Sequence, residues 1–352
     1  MKIEALLPFG GLDPGVRVAA APVDIARVGA DARLAEELGY DGIVTEETKQ
    51  DPYIVTALAA QATSRVGLAT AVAVAFPRSP AITALSAWNL QQLSRGRFTL
   101  GLGSQVKGHI ERRFGMAWSA PGPWLRDYVG ALRAIWESWQ NGTKLDFASE
   151  HYQLNLMVPL FAPAPIEHPR IPVQLAAVNP YMCQVAGEVA DGIRVHPIAT
   201  RRYIEEVMLP AARKGAAKAG RDLAGFAMCV NPLIATAPER AGLGERVREV
   251  RARVAFYAST PAYLAAFETQ GHGAVARQLQ GLSRAQRWEE MPALVDDAML
   301  EAYAVIATHD ELAAKLKARY GAVATDLEIA LPAATAADQA VAREVIAELR
   351  WG

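Results

Sequence analysis

Arg95-Gly-Arg-Phe-Thr-Leu-Gly-Leu-Gly-Ser-Gln-Val-Lys-Gly-His-Ile-Glu-Arg-Arg-Phe114 decides how this chain is read. Phe98, Leu100 and Leu102 alternate with small residues, the two-residue period of a strand, and Gly96 stops the helix before it. The strand leaves through Gly101, Gly103 and Ser104, where a backbone without bulk lets a ligand approach. His109, Glu111, Arg112 and Arg113 follow directly. Small residues at a strand exit, then titratable and cationic groups, have the layout of a strand-end site. The competing reading is a turn followed by a solvated helix face.

Outward from this strand, strands and helices alternate. Upstream lie a strand over Lys2–Leu7, a helix over Val23–Leu38 closed by Gly39, a strand over Asp41–Glu46, and a helix from Pro52 to Thr63. The run Val66–Ala75 is almost wholly apolar, which suits a parallel strand covered on both faces. Ser79-Pro80, an N-cap followed by an N1 proline, opens a helix that runs to Leu93. Downstream comes a helix over Pro123–Gln140. Residues 142–170, holding Phe147, His151 and Tyr152, are too long for a plain connection and read as a lid-like excursion with its own hairpin. The rhythm resumes with a strand at Ile171–Ala177, a helix from Asn179-Pro180 to Ala190, and a strand at Asp191–Val195. A helix over Arg201–Gly220 and a strand over Phe226–Ala235 precede a helical insertion at 237–305. Thr308-His-Asp-Glu311 has the spacing of a capping box. A strand at Asp326–Leu331 and a helix at Ala336–Leu349 finish the chain. Eight strands alternating with helices predict an α/β fold, a (β/α)8 TIM barrel forming one domain over residues 1–352. An open doubly wound sheet would want Gly-x-Gly-x-x-Gly after the first strand, and Pro8-Phe9-Gly10-Gly11-Leu12 is not that.

The 352 residues are 51% hydrophobic and 21% charged, enough for a large core, and the net charge of −1 argues against a nucleic-acid partner. No apolar run is long enough to cross a membrane. The first residues enter a strand directly, without the pattern of a secretory signal. Cys183 and Cys229 sit far apart in apolar surroundings and read as reduced thiols. A cytoplasmic protein acting on a small-molecule substrate is expected.

Function in such a barrel sits at the C-terminal strand ends. The candidates there are Pro8 and Phe9; Glu46 and Glu47; Phe76 and Arg78; Gly103, Ser104, Gln105 and His109; Ala177, Asn179, Pro180, Tyr181 and Met182; Arg194 and His196; and Asn231. The six histidines contain no His-x-His, which argues against a metal site. No Gly-x-Ser-x-Gly elbow occurs, and no lysine lies within a strand where a Schiff-base lysine would sit, since Lys49 and Lys107 fall past strand ends. An apolar rim with backbone-rich turns suits a flat aromatic cofactor that carries its own reactivity and a phosphate tail. Ala176–Met182 passes from strand to helix N-terminus, where free N–H groups favour an anion; it also reads simply as a well-capped helix. Glu46 and Glu47 are adjacent carboxylates that point opposite ways, so one of them faces the barrel mouth.

Several segments, in order, resemble the luciferase-like oxidoreductases, barrel enzymes that use FMN or the deazaflavin coenzyme F-420. They are Ala35-Glu-Glu-Leu-Gly-Tyr-Asp-Gly42, Arg95–Gly103, Pro172-Val-Gln-Leu-Ala-Ala177 and Ala186-Gly-Glu-Val-Ala-Asp-Gly192. Glu150-His-Tyr-Gln-Leu154 and Ala307-Thr-His-Asp-Glu-Leu312 extend the likeness over nearly the whole chain. Glu47-Thr-x-x-Asp51-Pro52 and His109-Ile-Glu-Arg-Arg-Phe114 are most like the subgroup assigned to coenzyme F-420, with FMN the alternative.

The resemblance implies a non-proline cis peptide at Ala71–Val72, bulging against the central ring of the cofactor. It places ring contacts at Glu46 or Glu47, Ala71, Val72 and His109, beside Gly103 and Ser104, and phosphate contacts at Ala177 and Asn179 to Met182. Glu47 becomes a proton relay or orienting group, and His109 a cofactor hydrogen bond or proton donor. Tyr152 and the two insertions close over substrate, and a homodimer is implied. The implied activity is hydride transfer between coenzyme F-420 and a small organic substrate. The alternatives are an FMN-dependent monooxygenase with a separate reductase and a non-catalytic flavin-binding barrel. Sugar-phosphate dehydrogenases of the family carry an aspartate–histidine pair where Glu46-Glu47 stands, and a glutamate where Val106 stands, which argues against glucose-6-phosphate oxidation.

Overall fold

A computed structural model describes residues 1–7, 9 and 24–350. The expectations at Pro8 and at the Val23 helix start lie outside the described residues. The first half contains β1 (Lys2–Leu7), α1 (Val28–Leu38), β2 (Gly42–Thr45), α2 (Pro52–Ala62), β3 (Gly67–Thr70), β4 (Ala73–Val74), α3 (Pro80–Leu93), β5 (Phe98–Gly103), α4 (Lys107–Arg112) and α5 (Pro121–Asn141). A hairpin of β6 (Phe147–Ala148) and β7 (Gln153–Leu154) follows, then β8 (Val173–Ala177), α6 (Pro180–Val189), β9 (Gly192–Val195) and α7 (Arg201–Tyr203). A π-helical turn, Ile204–Met208, leads into α8 (Leu209–Lys218), β10 (Ala227–Val230) and β11 (Leu233–Ala237). The rest is α9 (Leu243–Ala258), α10 (Leu264–Thr269), α11 (Gly273–Arg284), α12 (Asp297–Tyr303), β12 (Ala304–Thr308), α13 (His309–Tyr320), β13 (Asp326–Ile329) and α14 (Ala336–Arg350).

Eight parallel strands close in the order β1-β2-β3-β5-β8-β9-β10-β13 and back to β1, so the fold is the expected (β/α)8 barrel. Local chemistry sets the helix starts. Asp51 accepts the Tyr53 and Ile54 N–H groups, Ser79 accepts that of Ile82, and Asn179 accepts that of Met182, each before a proline at the head of its helix. The cysteines are free and buried, and no helix among the described residues is long and apolar enough to cross a membrane.

Three sequence expectations are corrected. The strand expected over Phe226–Ala235 is two strands: β10 belongs to the barrel, whereas β11 leaves it and pairs in parallel with β12. Pro232 lies between them and has no N–H for the barrel ladder. The 237–305 insertion is therefore rooted on a small parallel sheet as well as being helical. The run Val66–Ala75 is likewise broken, into β3 and β4. At the expected capping box, the Thr308 side chain makes no cap bond, while Glu311 accepts the Thr308 N–H. Only the reverse half of the box forms.

Candidate active site

The break between β3 and β4 is the peptide bond Ala71–Val72, which is cis, as the resemblance implied. Thr70 prepares it. Its hydroxyl donates to Gly101 O at 2.6 Å and accepts the Gly101 N–H at 2.9 Å, standing in for a backbone pair. A Cβ at Gly101 would lie 1.9 Å from Thr70 O, so only glycine fits. The space of a Cβ at Gly103 is taken by Val72, whose Cγ2 would be 2.6 Å away. The glycines of β5 thus seat the bulge itself. Ala71 and Val72 remain partly exposed.

Glu47 braces the far side of this bulge. Its carboxylate accepts the Val74 N–H at 2.7 Å and two bonds from Arg78 Nη1, at 2.9 and 2.7 Å. Arg78 also donates to Val74 O at 3.2 Å and to Asp51 at 3.0 Å. The Glu47 and Arg78 side chains are 9% and 19% exposed, so this pair is largely shielded from solvent. Burial works to lower the Arg78 pKa, but its bonds to Glu47 and Asp51 overcome that and raise it. Glu46 points the other way and raises the pKa of Glu328 by its charge. The adjacent carboxylates face opposite directions, although both lie past the end of β2.

After β5, Ser104 donates to Gln105 O at 3.1 Å, and Gln105 takes a left-handed φ of 55°. His109 lies on α4, exposed. Arg113 donates to Thr48 O at 3.1 Å, tying the loop after α4 to the loop after β2. It is an anchor.

At the amino end of α6, Pro180 offers no N–H and the Met182 N–H belongs to Asn179 at 2.9 Å. The Tyr181 N–H is then the first-turn donor with no intrahelical acceptor. Ala177 and Met182 are buried, whereas Tyr181 is 47% exposed. A Cβ at Gly122 would touch the Tyr181 ring at 2.3 Å, so α5 closes against this corner.

Sequence reasoning named Arg194 and Asn231 but missed Glu4 and Glu328, which complete a polar floor of the barrel. Arg194 bonds both oxygens of Glu4, the second at 3.2 Å, and approaches Glu328 at 4.0 Å. Asn231 donates to Glu328 at 2.8 Å. Burial pushes the Glu328 carboxyl up to about 8, although Arg194 opposes the shift. Glu4 and Glu328 are interior positions of β1 and β13, and two acidic residues in otherwise apolar strands were the available signal. His196 lies between the rings of Tyr257 and Tyr263, at 4.7 and 4.3 Å, and burial pushes it down to about 3. Some exposed surface remains on that residue and softens the effect without reversing it.

Tyr152 faces α5. Its hydroxyl accepts Trp124 Nε1–H at 2.7 Å, and its ring meets Tyr128 edge-on at 5.8 Å. Among the described residues no cluster of three or more His, Cys, Asp or Glu side chains could hold a metal ion.

Residues 7–326 match the luciferase-like monooxygenase family. The chain is 42% identical over 330 residues to an uncharacterized protein of Mycobacterium tuberculosis, covering 94% of this chain and 96% of that one. It is 28% identical over 200 residues to a 5,10-methylenetetrahydromethanopterin reductase of Methanolobus tindarius, covering 56% and 58%. The coenzyme F-420 dependent tetrahydromethanopterin reductase of Methanopyrus kandleri superimposes with a TM-score of 0.74 at 19% identity, covering 99% of this chain and 97% of that one. The family match over residues 7–326 of this (β/α)8 barrel makes the chain a member of the luciferase-like monooxygenase family.

Proposed function

We propose that this member of an oxidoreductase family transfers a hydride between coenzyme F-420 and a small organic substrate at the C-terminal mouth of the barrel. The observation that carries the proposal is the partly exposed segment Ala71–Val72, seated on Gly101 and Gly103 and braced by Glu47 and Arg78. It offers a partly exposed backbone ledge for a planar ring, with nothing bulky behind it to interfere. The sequence likeness to a putative coenzyme F-420-dependent oxidoreductase of Mycobacterium tuberculosis, 26% identical over 330 residues, supports the deazaflavin over FMN.

A deazaflavin supplies a ring carbon that gains or gives up the hydride. Ala71 and Val72 would support the ring, with Gly103, Ser104 and Glu46 around its edge. Ala177 and the Asn179–Met182 turn would receive the phosphate, with the Tyr181 N–H donating to it. Glu47 acts as an orienting group: with its carboxylate already taken up by Arg78 and Val74, it fixes the ledge and leaves proton transfer to His109. His109 is exposed beside the exit of β5 and can hand a proton to a substrate heteroatom.

Titration of the purified protein with oxidised and reduced coenzyme F-420, and in parallel with FMN, tests the proposal. We expect coenzyme F-420 to bind at least about tenfold more tightly than FMN, a difference of about 1.4 kcal/mol. Tight binding of FMN alone, with oxygen consumed when reduced FMN is supplied, would instead establish the monooxygenase reading that the family description favours.

Two neighbouring helices support a homodimer. Neither α2 nor α3 contains a charged residue, and Ile54 and Ile82 are 55% and 58% exposed on them. An uncharged helix face that exposes large aliphatic side chains favours burial against a partner, and a second copy of this face is the proposed cover.

A further inference from the structure

Three polar side chains form one hydrogen-bonded line beside the amino end of α5. Asp127 Oδ2 accepts the backbone N–H of His151 at 3.3 Å and lies 2.7 Å from its Nδ1. A carboxylate there places the imidazole proton on Nδ1 and leaves Nε2 as the acceptor. Nε2 lies 3.1 Å from Ser119 Oγ. The imidazole is held flat, stacked on Trp124 at 5.9 Å and 14°, and Trp124 is stacked in turn on Phe76 at 3.7 Å and 6°. His151 and Asp127 side chains are 11% and 18% exposed, and Ser119 is partly exposed. The relay is shielded while its hydroxyl end reaches solvent.

This is nucleophile, base and orienting acid, each within hydrogen-bond reach of the next. The residues come in the chain order Ser, Asp, His. Ser119 lies one residue before Ala120, the N-cap of α5, a helix of 21 residues whose amino end is the positive end of its dipole. In its first turn the Gly122 N–H, between two prolines that have none, lacks an intrahelical acceptor and is available to a developing oxyanion. Trp118, edge-on to Phe76 at 6.3 Å, adds a flat apolar surface next to the serine.

We propose that Ser119, His151 and Asp127 constitute a second active site that cleaves small aryl esters, its oxyanion donor Gly122 packed against Tyr181 at the edge of the oxidoreductase site. Ser119 Oγ attacks the ester carbonyl carbon while its proton passes to His151 Nε2. The carbonyl–oxygen bond to the aryl alcohol breaks, and the departing oxygen takes that proton. Water then attacks the acyl group on Ser119, giving its proton to His151 and releasing the carboxylic acid as the serine oxygen is reprotonated. Asp127 holds the imidazole and balances its charge. The same line also fastens the β6–β7 hairpin to α5, but that fastening needs only Asp127 and His151 and gives Ser119 no reactivity.

The full-length protein without added cofactor is treated with an alkyl fluorophosphonate, and separately with p-nitrophenyl acetate. With the fluorophosphonate a phosphorus–oxygen bond forms at Ser119, the phosphorus–fluorine bond breaks, and the proton goes to His151. We expect one adduct, mapped to Ser119 by peptide mass spectrometry, and release of p-nitrophenolate. Ser119→Ala should abolish both. His151→Gln should slow both by at least about 100-fold, the contribution of a positioned base. Absence of an adduct on Ser119, equal labelling in a folded His151→Gln protein, or undiminished ester cleavage by Ser119→Ala would each overturn the proposal. Ser119→Ala sits at the partly exposed end of the line and remains decisive if His151→Gln fails to fold.

Discussion

The β3–β5 side of the barrel and the β1–β13–β9 side are built by opposite means. On the first, side chains shrink to Thr, Ala and Gly, and backbone atoms come as close as van der Waals contact permits. On the second, Arg194, Glu4, Glu328 and Asn231 fill the interior with charge and amide, paired because no solvent can do it for them. The contrast separates two tasks. The small-residue side can carry a ledge for a planar ring, and the charged side holds the strands around it in one arrangement. A defect on the first side should act through steric fit, and a defect on the second through an orphaned charge.

The largest effect is expected on the charged side. Arg194→Met leaves the buried Glu4 carboxylate uncompensated and should cost about 3–5 kcal/mol of stability in denaturant titration. Gly101→Ala places a Cβ 1.9 Å from the backbone oxygen of Thr70 and should cost about 3 kcal/mol, at the upper end for overpacking. Equal stability of Gly101→Ala and wild type would end the claim that the β5 backbone seats the bulge. Glu47→Gln weakens charge-assisted bonds to Arg78 and Val74; a loss of about 2 kcal/mol is expected, together with weaker coenzyme F-420 binding.

The buried titratable groups predict opposite limbs of a stability–pH curve. Glu328, raised from 4.5 to about 8, contributes stability that is complete below pH 4.5 and is lost as the pH rises through 8. His196, lowered from 6.5 to about 3, contributes stability that is present above pH 6.5 and is lost as the pH falls toward 3. Each limb should approach a slope of about 1.4 kcal/mol per pH unit. Thermal melts of Glu328→Gln should flatten the alkaline limb alone, and those of His196→Asn the acid limb alone. The smallest stability change is expected for Ile54→Lys with Ile82→Lys, exposed positions where substitutions lie within about 0.5 kcal/mol. Sedimentation should nevertheless show that pair as a monomer if α2 and α3 form the dimer face.

Strand-helix alternation, the proline-led helix starts and the barrel class were legible because each is written in local residue order. The cis bond at Ala71–Val72 came from resemblance; no period or composition in an Ala/Val run marks it. What stayed hidden depends on which side chain meets which across the fold. Glu47 and Arg78 are far apart in sequence, as are Glu4, Arg194 and Glu328, and periodicity is blind to such pairs. Pro232 was a visible signal passed over: a proline inside an apolar run should have split the seventh strand. His109 is the expected residue whose placement adds least, since the fold leaves it exposed on a short helix.

Thr70 has a consequence for how this barrel can change over time. Most neighbouring strands can slide by two residues and find equivalent backbone partners. Here one hydroxyl grips both backbone groups of Gly101, so the register of β3 against β5 is keyed to a single residue pair. An insertion or deletion in either strand would move the bulge off its glycines, so variation must be absorbed in the loops. The ledge can stay where it is while the substrate-facing segments around it are free to diverge.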